Sequence, residues 1–171
     1  MRALLLLAQF VIAPAPDSRF ELEMEKTGLL SGKKHLFTFD KYRGTFDGKR
    51  IEFVVDATSI QLHDDWSPAK GKEAEIIEVA KKEIGGPEIR FVAENAQEGT
   101  VTGQLTIRGI TKPCAVTVKR NGNTLEGSAT IKHADYGLKP QKAALGAIGT
   151  KEEMLVRFRL TATPRSTATP K

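Results

Sequence analysis

Along most of this chain apolar and polar residues alternate one by one, and that period of two constrains the fold more than any other property of the sequence. The stretch from Thr100 to Lys119 shows it best. Val101, Leu105 and Ile107 alternate with Thr102, Gln104, Thr106 and Arg108; the pattern breaks at Gly109 and Pro113, then resumes as Cys114, Val116 and Val118 against Ala115, Thr117 and Lys119. Such a segment is a strand with one dry face and one wet face, and the dry face has to be buried against something.

The same alternation recurs up and down the chain. Phe20, Leu22 and Met24 form one set, and His35, Phe37 and Phe39 another. At Lys41 the phase changes, because Tyr42, Gly44 and Phe46 become the in-phase residues, which predicts a bulge or bend. Asp47-Gly48 predicts a tight turn into Ile51, Phe53, Val55 and Ala57, and Ile89, Phe91 and Ala93 follow later. Asn121-Gly122 predicts another turn, into Leu125, Gly127, Ala129, Ile131 and His133, and the last set is Met154, Val156, Phe158, Leu160 and Ala162. This makes eight or nine strands joined mostly by hairpin-length turns.

Two stretches depart from the meander. Between Lys72 and Ile84, the residues Ile76, Ile77, Val79, Ala80 and Ile84 recur at helical spacing among charged residues, and Gly85-Gly86-Pro87 ends the run, so an amphipathic helix is expected to lie across the sheet. From Ala134 to Glu152 runs a long connection rich in Gly, Ala and Lys, of a length usually found in functional or mobile loops. The tail, Pro164 to Lys171, is expected to be disordered.

Antiparallel strands with one dry face each can stack as a sandwich or close into a barrel. Gly44, Ala57, Ala93, Gly103, Gly127 and Ala129 lie among the large residues of the dry faces, and side chains this small leave volume unfilled. The expected fold is therefore all-β: a single antiparallel barrel of about eight strands, with one amphipathic helix, around an apolar cavity. A barrel filled with solid core is the alternative, with the glycines merely marking bends.

Lys and Arg, which give a net charge of +5, are spread along the whole sequence. The aromatic residues Phe20, Phe37, Phe39, Phe53, Phe91 and Phe158 fall on dry faces instead of interleaving with the basic ones, so no nucleic-acid partner is expected. Cys114 is the single cysteine and can form no internal disulfide. No run reaches the roughly 18 to 20 apolar residues of a membrane span, so no integral membrane segment is expected. Residues 1–16 read in two ways. Arg2 followed by Ala3 to Ala8, with Ala13-Pro14-Ala15 beyond, has the layout of a truncated secretory signal, while Phe10 to Ala13 reads as an N-terminal strand.

Several segments together resemble the YceI-like family. They are Thr27 to Phe39, Tyr42 to Phe46, Phe53 to Ile60, Pro87 to Phe91, Gly103 to Pro113 and Ala134 to Leu138, in that order along the chain. The resemblance implies a lipocalin-like antiparallel barrel over residues 10–163, often paired as a homodimer. It also implies that the interior holds an isoprenoid or other amphiphilic lipid, such as a polyisoprenoid, an isoprenoid quinone or a fatty-acid-like molecule. Members are generally exported to the bacterial periplasm; the short leader here is also compatible with the cytoplasm.

The expected activity is non-enzymatic binding, with no catalytic residues, no metal and no cofactor. The residues expected to meet the ligand are Phe37, Phe39, Phe53, Phe91, Leu105, Ile107, Val116, Ile131, Val156 and Phe158, with His35, His133 and Trp66 as polar or covering elements. Lys70, Lys72, Lys139, Lys142 and Lys151 flank the two irregular stretches, where they can meet an anionic head group or simply face solvent. His63-Asp64-Asp65 is the best local candidate for acid-base or metal chemistry, which keeps a small histidine-dependent hydrolase or metal-assisted enzyme as an alternative, beside a structural module with a filled barrel.

Overall fold

A computed structural model describes residues 9–66 and 69–165. Residues 1–8, which hold most of the expected signal, and the tail from 166 onward lie outside it. In chain order the elements are β1 (Phe10–Ile12), β2 (Arg19–Gly28), β3 (Lys34–Phe39), β4 (Tyr42–Phe46), β5 (Ile51–Asp56), β6 (Ile60–Leu62), helix α1 (Glu73–Ile84), β7 (Glu88–Ala93), β8 (Gly99–Ile107), β9 (Ile110–Asn121), β10 (Thr124–Lys132) and β11 (Ile148–Pro164).

These strands make one closed antiparallel barrel of eight staves. There are more strands than staves because three staves are each broken in two. β1 and β2 lie end to end along β11, with β1 pairing Ile12 to Ala162 and β2 pairing Phe20 to Phe158. The phase change expected at Lys41 is a corner: β3 pairs with β2 and β6, whereas β4 pairs with β5 and β1. β5 and β6 are divided in turn by a short 3-10 turn at Ala57–Ser59. The long pairing of β11 with β2 closes the wall.

Topology sorts the connections between two ends. The tight turn of β4–β5, the β7–β8 connection and the β9–β10 turn lie at one end, here called the floor, where Ile12, Leu125, Leu160 and Ala162 belong to the core. At the other end, the mouth, are the β2–β3 turn, α1, the β8–β9 turn and the segment joining β10 to β11.

Helix α1 starts one residue later than the periodicity predicts, with Glu73 and Glu75 at its positive end, and Gly85 in the left-handed conformation (φ 66°) closes it through an N–H bond to the Lys81 carbonyl. Its C-terminal end is tied down. Arg108 donates to the Glu83 carbonyl (3.2 Å) and to the Gly137 carbonyl (3.4 Å), while the Lys139 amide donates to the Glu83 carboxylate (3.1 Å).

Three expectations need correcting. The break read between Gly109 and Pro113 is a two-residue turn at Arg108-Gly109, both with positive φ, and residues 110–113 already belong to β9, with Ile107 opposite Ile110. This is the backbone that matches the right-handed twist of a hairpin, and Arg108 adopts it without being glycine. The irregular connection is shorter than 134–152, since β11 begins at Ile148. Pro164 is the last residue of β11 and the Arg165 amide donates to the Gln9 carbonyl (2.6 Å), so the expected disorder does not extend to these two residues.

One seam of the wall is incomplete. The β9–β10 ladder runs from the turn only as far as Thr117 opposite Ser128. Above that point β9 pairs only with β8, and Pro113, which has no amide to contribute, sits in the unzipped part. The wedge is plugged by Tyr136, 2% exposed, which packs with Cys114, Ala129 and Leu138. Burial pushes the Tyr136 phenol up to about 12.

Candidate functional site

The interior holds a cavity of about 410 Å³, lined from floor to mouth by residues from nearly every stave and from α1. The dry-face residues form its wall: Phe37, Phe39, Phe53, Phe91, Leu105, Ile107, Val116, Ile131, Val156 and Phe158 all line it, as do His35 and His133. Trp66 does not. It is buried beside the barrel, with its ring 5.2 Å from that of His35 and its indole N–H donating to the Lys34 carbonyl (2.8 Å), so it braces the wall from behind the lining.

The glycines serve the cavity in a way opposite to the one expected. A side chain at Gly103 would stand 2.5 Å from Phe91 Cζ, one at Gly127 would stand 2.5 Å from Phe158 Cζ, and one at Gly44 would stand 2.9 Å from Phe53 Cδ2. Each glycine is therefore covered by a phenylalanine of a neighbouring strand, the arrangement called aromatic rescue. These three glycines are not empty places. They are seats that let three large rings lie down against the wall, and the rings then leave the middle of the barrel free.

The polar part of the lining gathers toward the mouth, where Lys26, His35, His133, Lys139, Gln141, Lys142 and Thr150, together with Glu75 and Glu83 of α1, join the apolar residues. His35 faces inward beside Met24 of β2, and its Nδ1 is 2.5 Å from Asp64 Oδ2. The Asp64 side chain is only 1% exposed, and its other oxygen accepts the Leu36 amide (2.9 Å). The carboxylate thus holds His35 in the tautomer with the proton on Nδ1. That leaves Nε2 as an acceptor, with no partner among the described residues, on a ring that lines the cavity.

Burial holds the His35 imidazole below its usual pKa, outweighing the hydrogen bond to Asp64, and the nearby Lys26 charge pushes the same way. Burial likewise lowers Lys26, against the pull of Asp64, and its ammonium donates to Thr150 Oγ1 (3.3 Å). A neutral imidazole between a carboxylate and an ammonium is the arrangement these shifts describe. His133 is held similarly at another stave, with Nδ1 donating to the Glu152 carbonyl (2.8 Å).

The triplet His63-Asp64-Asp65 does not act as a cluster. His63 turns outward to Thr38 Oγ1 (2.8 Å), while Asp64 turns inward to His35. The sequence reading missed the pairing of His35 with Asp64, because nothing local joins two residues on different strands, and it missed Lys26, although parity with Phe20, Leu22 and Met24 was a usable signal. His35 with Asp64 is a base with its orienting acid, but no hydroxyl or thiol is hydrogen-bonded to Nε2 among the described residues to serve as nucleophile. Nor do three or more His, Cys, Asp or Glu side chains come together there as a metal site.

The barrel resembles the crystal structure of Burkholderia cenocepacia BcnA with a TM-score of 0.50 and 18% identity, covering 84% of this chain and 96% of that one, a likeness of fold alone. In sequence, UPF0312 proteins of Pseudomonas aeruginosa and Pseudomonas paraeruginosa are 26% identical over 130 residues, which is 70% of this chain and 65% of theirs, so the chain spans just under two thirds of the length of these relatives. The family model described as YceI-like domain matches residues 16–162, from the entry into β2 to within two residues of the end of β11, and so takes in nearly every stave of the wall around the cavity; the chain belongs to the YceI-like family.

Proposed function

We propose that this protein binds and carries a long amphiphilic lipid, of the polyisoprenoid, isoprenoid quinone or fatty-acid kind, inside the barrel. The observation that supports this reading best is the cavity of about 410 Å³, apolar along its length and polar only toward one end. That volume is in the range of on the order of 300–1,000 Å³ common for small-molecule sites. The tail lies among Phe37, Phe39, Phe53, Phe91, Leu105, Ile107, Val116, Ile131, Val156 and Phe158, where each buried methylene contributes about 0.8 kcal/mol. The head lies near His35, Lys26 and Thr150. An acceptor at His35 Nε2 beside a donor at Lys26 suits a head group that both gives and takes a hydrogen bond, such as a hydroxyl or a protonated acid. Location in the periplasm and pairing as a homodimer belong to the same reading and rest on membership of the family.

The test is native mass spectrometry of the purified protein followed by lipid extraction. One equivalent of a hydrophobic ligand, lost when the wall is altered, is the expected result. A clean apo mass, with no uptake from added isoprenols, quinones or fatty acids, would refute the proposal.

A further inference from the structure

Four large apolar side chains are exposed among the described residues: Leu29, Val79, Ile110 and Leu145. Single exposed hydrophobes are ordinary and need no account, but their placement here is one-sided. Leu29 is in the β2–β3 turn, Val79 on α1, Ile110 beside the β8–β9 turn and Leu145 in the β10–β11 connection, so all four stand at the mouth and none at the floor. Leu29 is 77% exposed and Leu145 fully so, and their loops touch through a bond from the Leu29 amide to the Ala147 carbonyl (3.0 Å).

The charge of these two loops is also one-sided. Residues 28–34 and 137–151 contain Lys33, Lys34, Lys139, Lys142 and Lys151 and no Asp or Glu. Lys34 and Lys151 reach back to Glu23 and Glu25 of β2, whereas Lys33, Lys139 and Lys142 make no ion pair among the described residues. Acidic residues stand around the two loops and not within them: Glu73, Glu75, Glu78 and Glu83 on α1, Asp64 and Asp65 on the segment leading to it, and Asp135 and Glu152 flanking the second loop, with Glu83 accepting the Lys139 amide (3.1 Å) and Glu152 the Ala134 amide (2.6 Å).

We infer that the loops 28–34 and 137–147 form a docking tip for the surface of an anionic lipid bilayer, with Leu29 and Leu145 inserted among the head groups and Lys33, Lys139 and Lys142 on the phosphates. The inference rests on the proposed lipid ligand, because such a tip would set the mouth of the cavity against the phase in which that ligand dissolves. Leucines rimmed by unpaired lysines are the composition that binds membrane interfaces, through buried apolar area plus attraction to acidic lipids. A protein partner would be met by the same leucines but gives no reason for them to ring the opening of the cavity.

The test is flotation of the full chain with vesicles of phosphatidylcholine alone and of phosphatidylcholine with phosphatidylglycerol. Binding is expected to the second, to weaken as salt is raised, and to fall by about ten-fold or more in the double variant Leu29→Ser, Leu145→Ser. Both positions are exposed, so the variant is expected to keep the melting temperature of the parent, which is measured alongside. Equal binding by parent and variant, or no binding to either vesicle, overturns the inference. So does a parent that sediments as a dimer while the variant is a monomer, since the leucines would then serve self-association. The lipid content of the same samples separates the two readings: a loaded protein that ignores vesicles sinks the docking tip alone, and an empty barrel that floats by these leucines sinks the lipid cargo alone.

Discussion

Replacing Asp64 with Ala is expected to destabilise the barrel far more than removing any exposed ion pair. The carboxylate is 1% exposed and accepts two hydrogen bonds, one from the Leu36 amide and one from His35 Nδ1. Its loss strands two buried donors, each at about 1–3 kcal/mol, so unfolding in urea should show a loss of about 2–6 kcal/mol. Glu88, which pairs with Arg43 between two exposed side chains, provides the control: Glu88→Ala should cost at most about 1 kcal/mol. Asp64→Asn should fall between, because its amide oxygen can still accept from Leu36 while its NH2 faces His35 and forces the proton onto Nε2. That exchange of tautomer can be read directly from the ring nitrogen shifts of His35 in NMR. The pH dependence carries a sign. His35 has a folded pKa below its usual value of about 6.5, so the unfolded chain binds more protons between the two, and stability rises with pH across that window and is lost as pH falls toward the folded pKa. A loss under 1 kcal/mol for Asp64→Ala, or an unchanged tautomer in Asp64→Asn, would refute the reasoning.

The plug in the incomplete seam should be costly to remove: Tyr136→Ala is expected to lose about 3–5 kcal/mol, measured by chemical denaturation, and to speed hydrogen exchange in β9 above Thr117. Gly103→Val should expel the Phe91 ring from its seat into the cavity, lowering both the melting temperature and the amount of lipid recovered by extraction. Val156→Trp, placed midway along the wall, should abolish lipid uptake in native mass spectrometry while the far-ultraviolet circular dichroism stays that of a barrel.

The dry faces were legible because parity along a strand is a local property. Phe37, Val156 and their partners point inward whatever lies opposite, and the change of phase at Lys41 marked the corner between β3 and β4. What parity cannot convey is which faces meet. The seating of Phe91 on Gly103 and of Phe158 on Gly127 depends on register between strands, so the glycines were legible as small residues and not as seats. The pairing of His35 with Asp64 depends on how the segment after β6 folds back over β3, and Trp66 was drawn into the wall by the same fold-back. Lys26 follows the alternation of β2 faithfully, but a lysine at the end of an apolar series reads as the point where the strand emerges into water, and only the closed wall turns it inward.

Closure between β2 and β11 also sets an order of events. A barrel whose first long stave pairs with its final one has no interior until that final strand, residues 148–164, has been made and has docked. Until then the growing chain is an open, curling sheet with its apolar face uncovered, and the pairing that ends this exposure is among the most distant in sequence, hence among the slowest to find. The cavity is thus the last feature of the molecule to come into being, and the proposed cargo would meet a finished vessel.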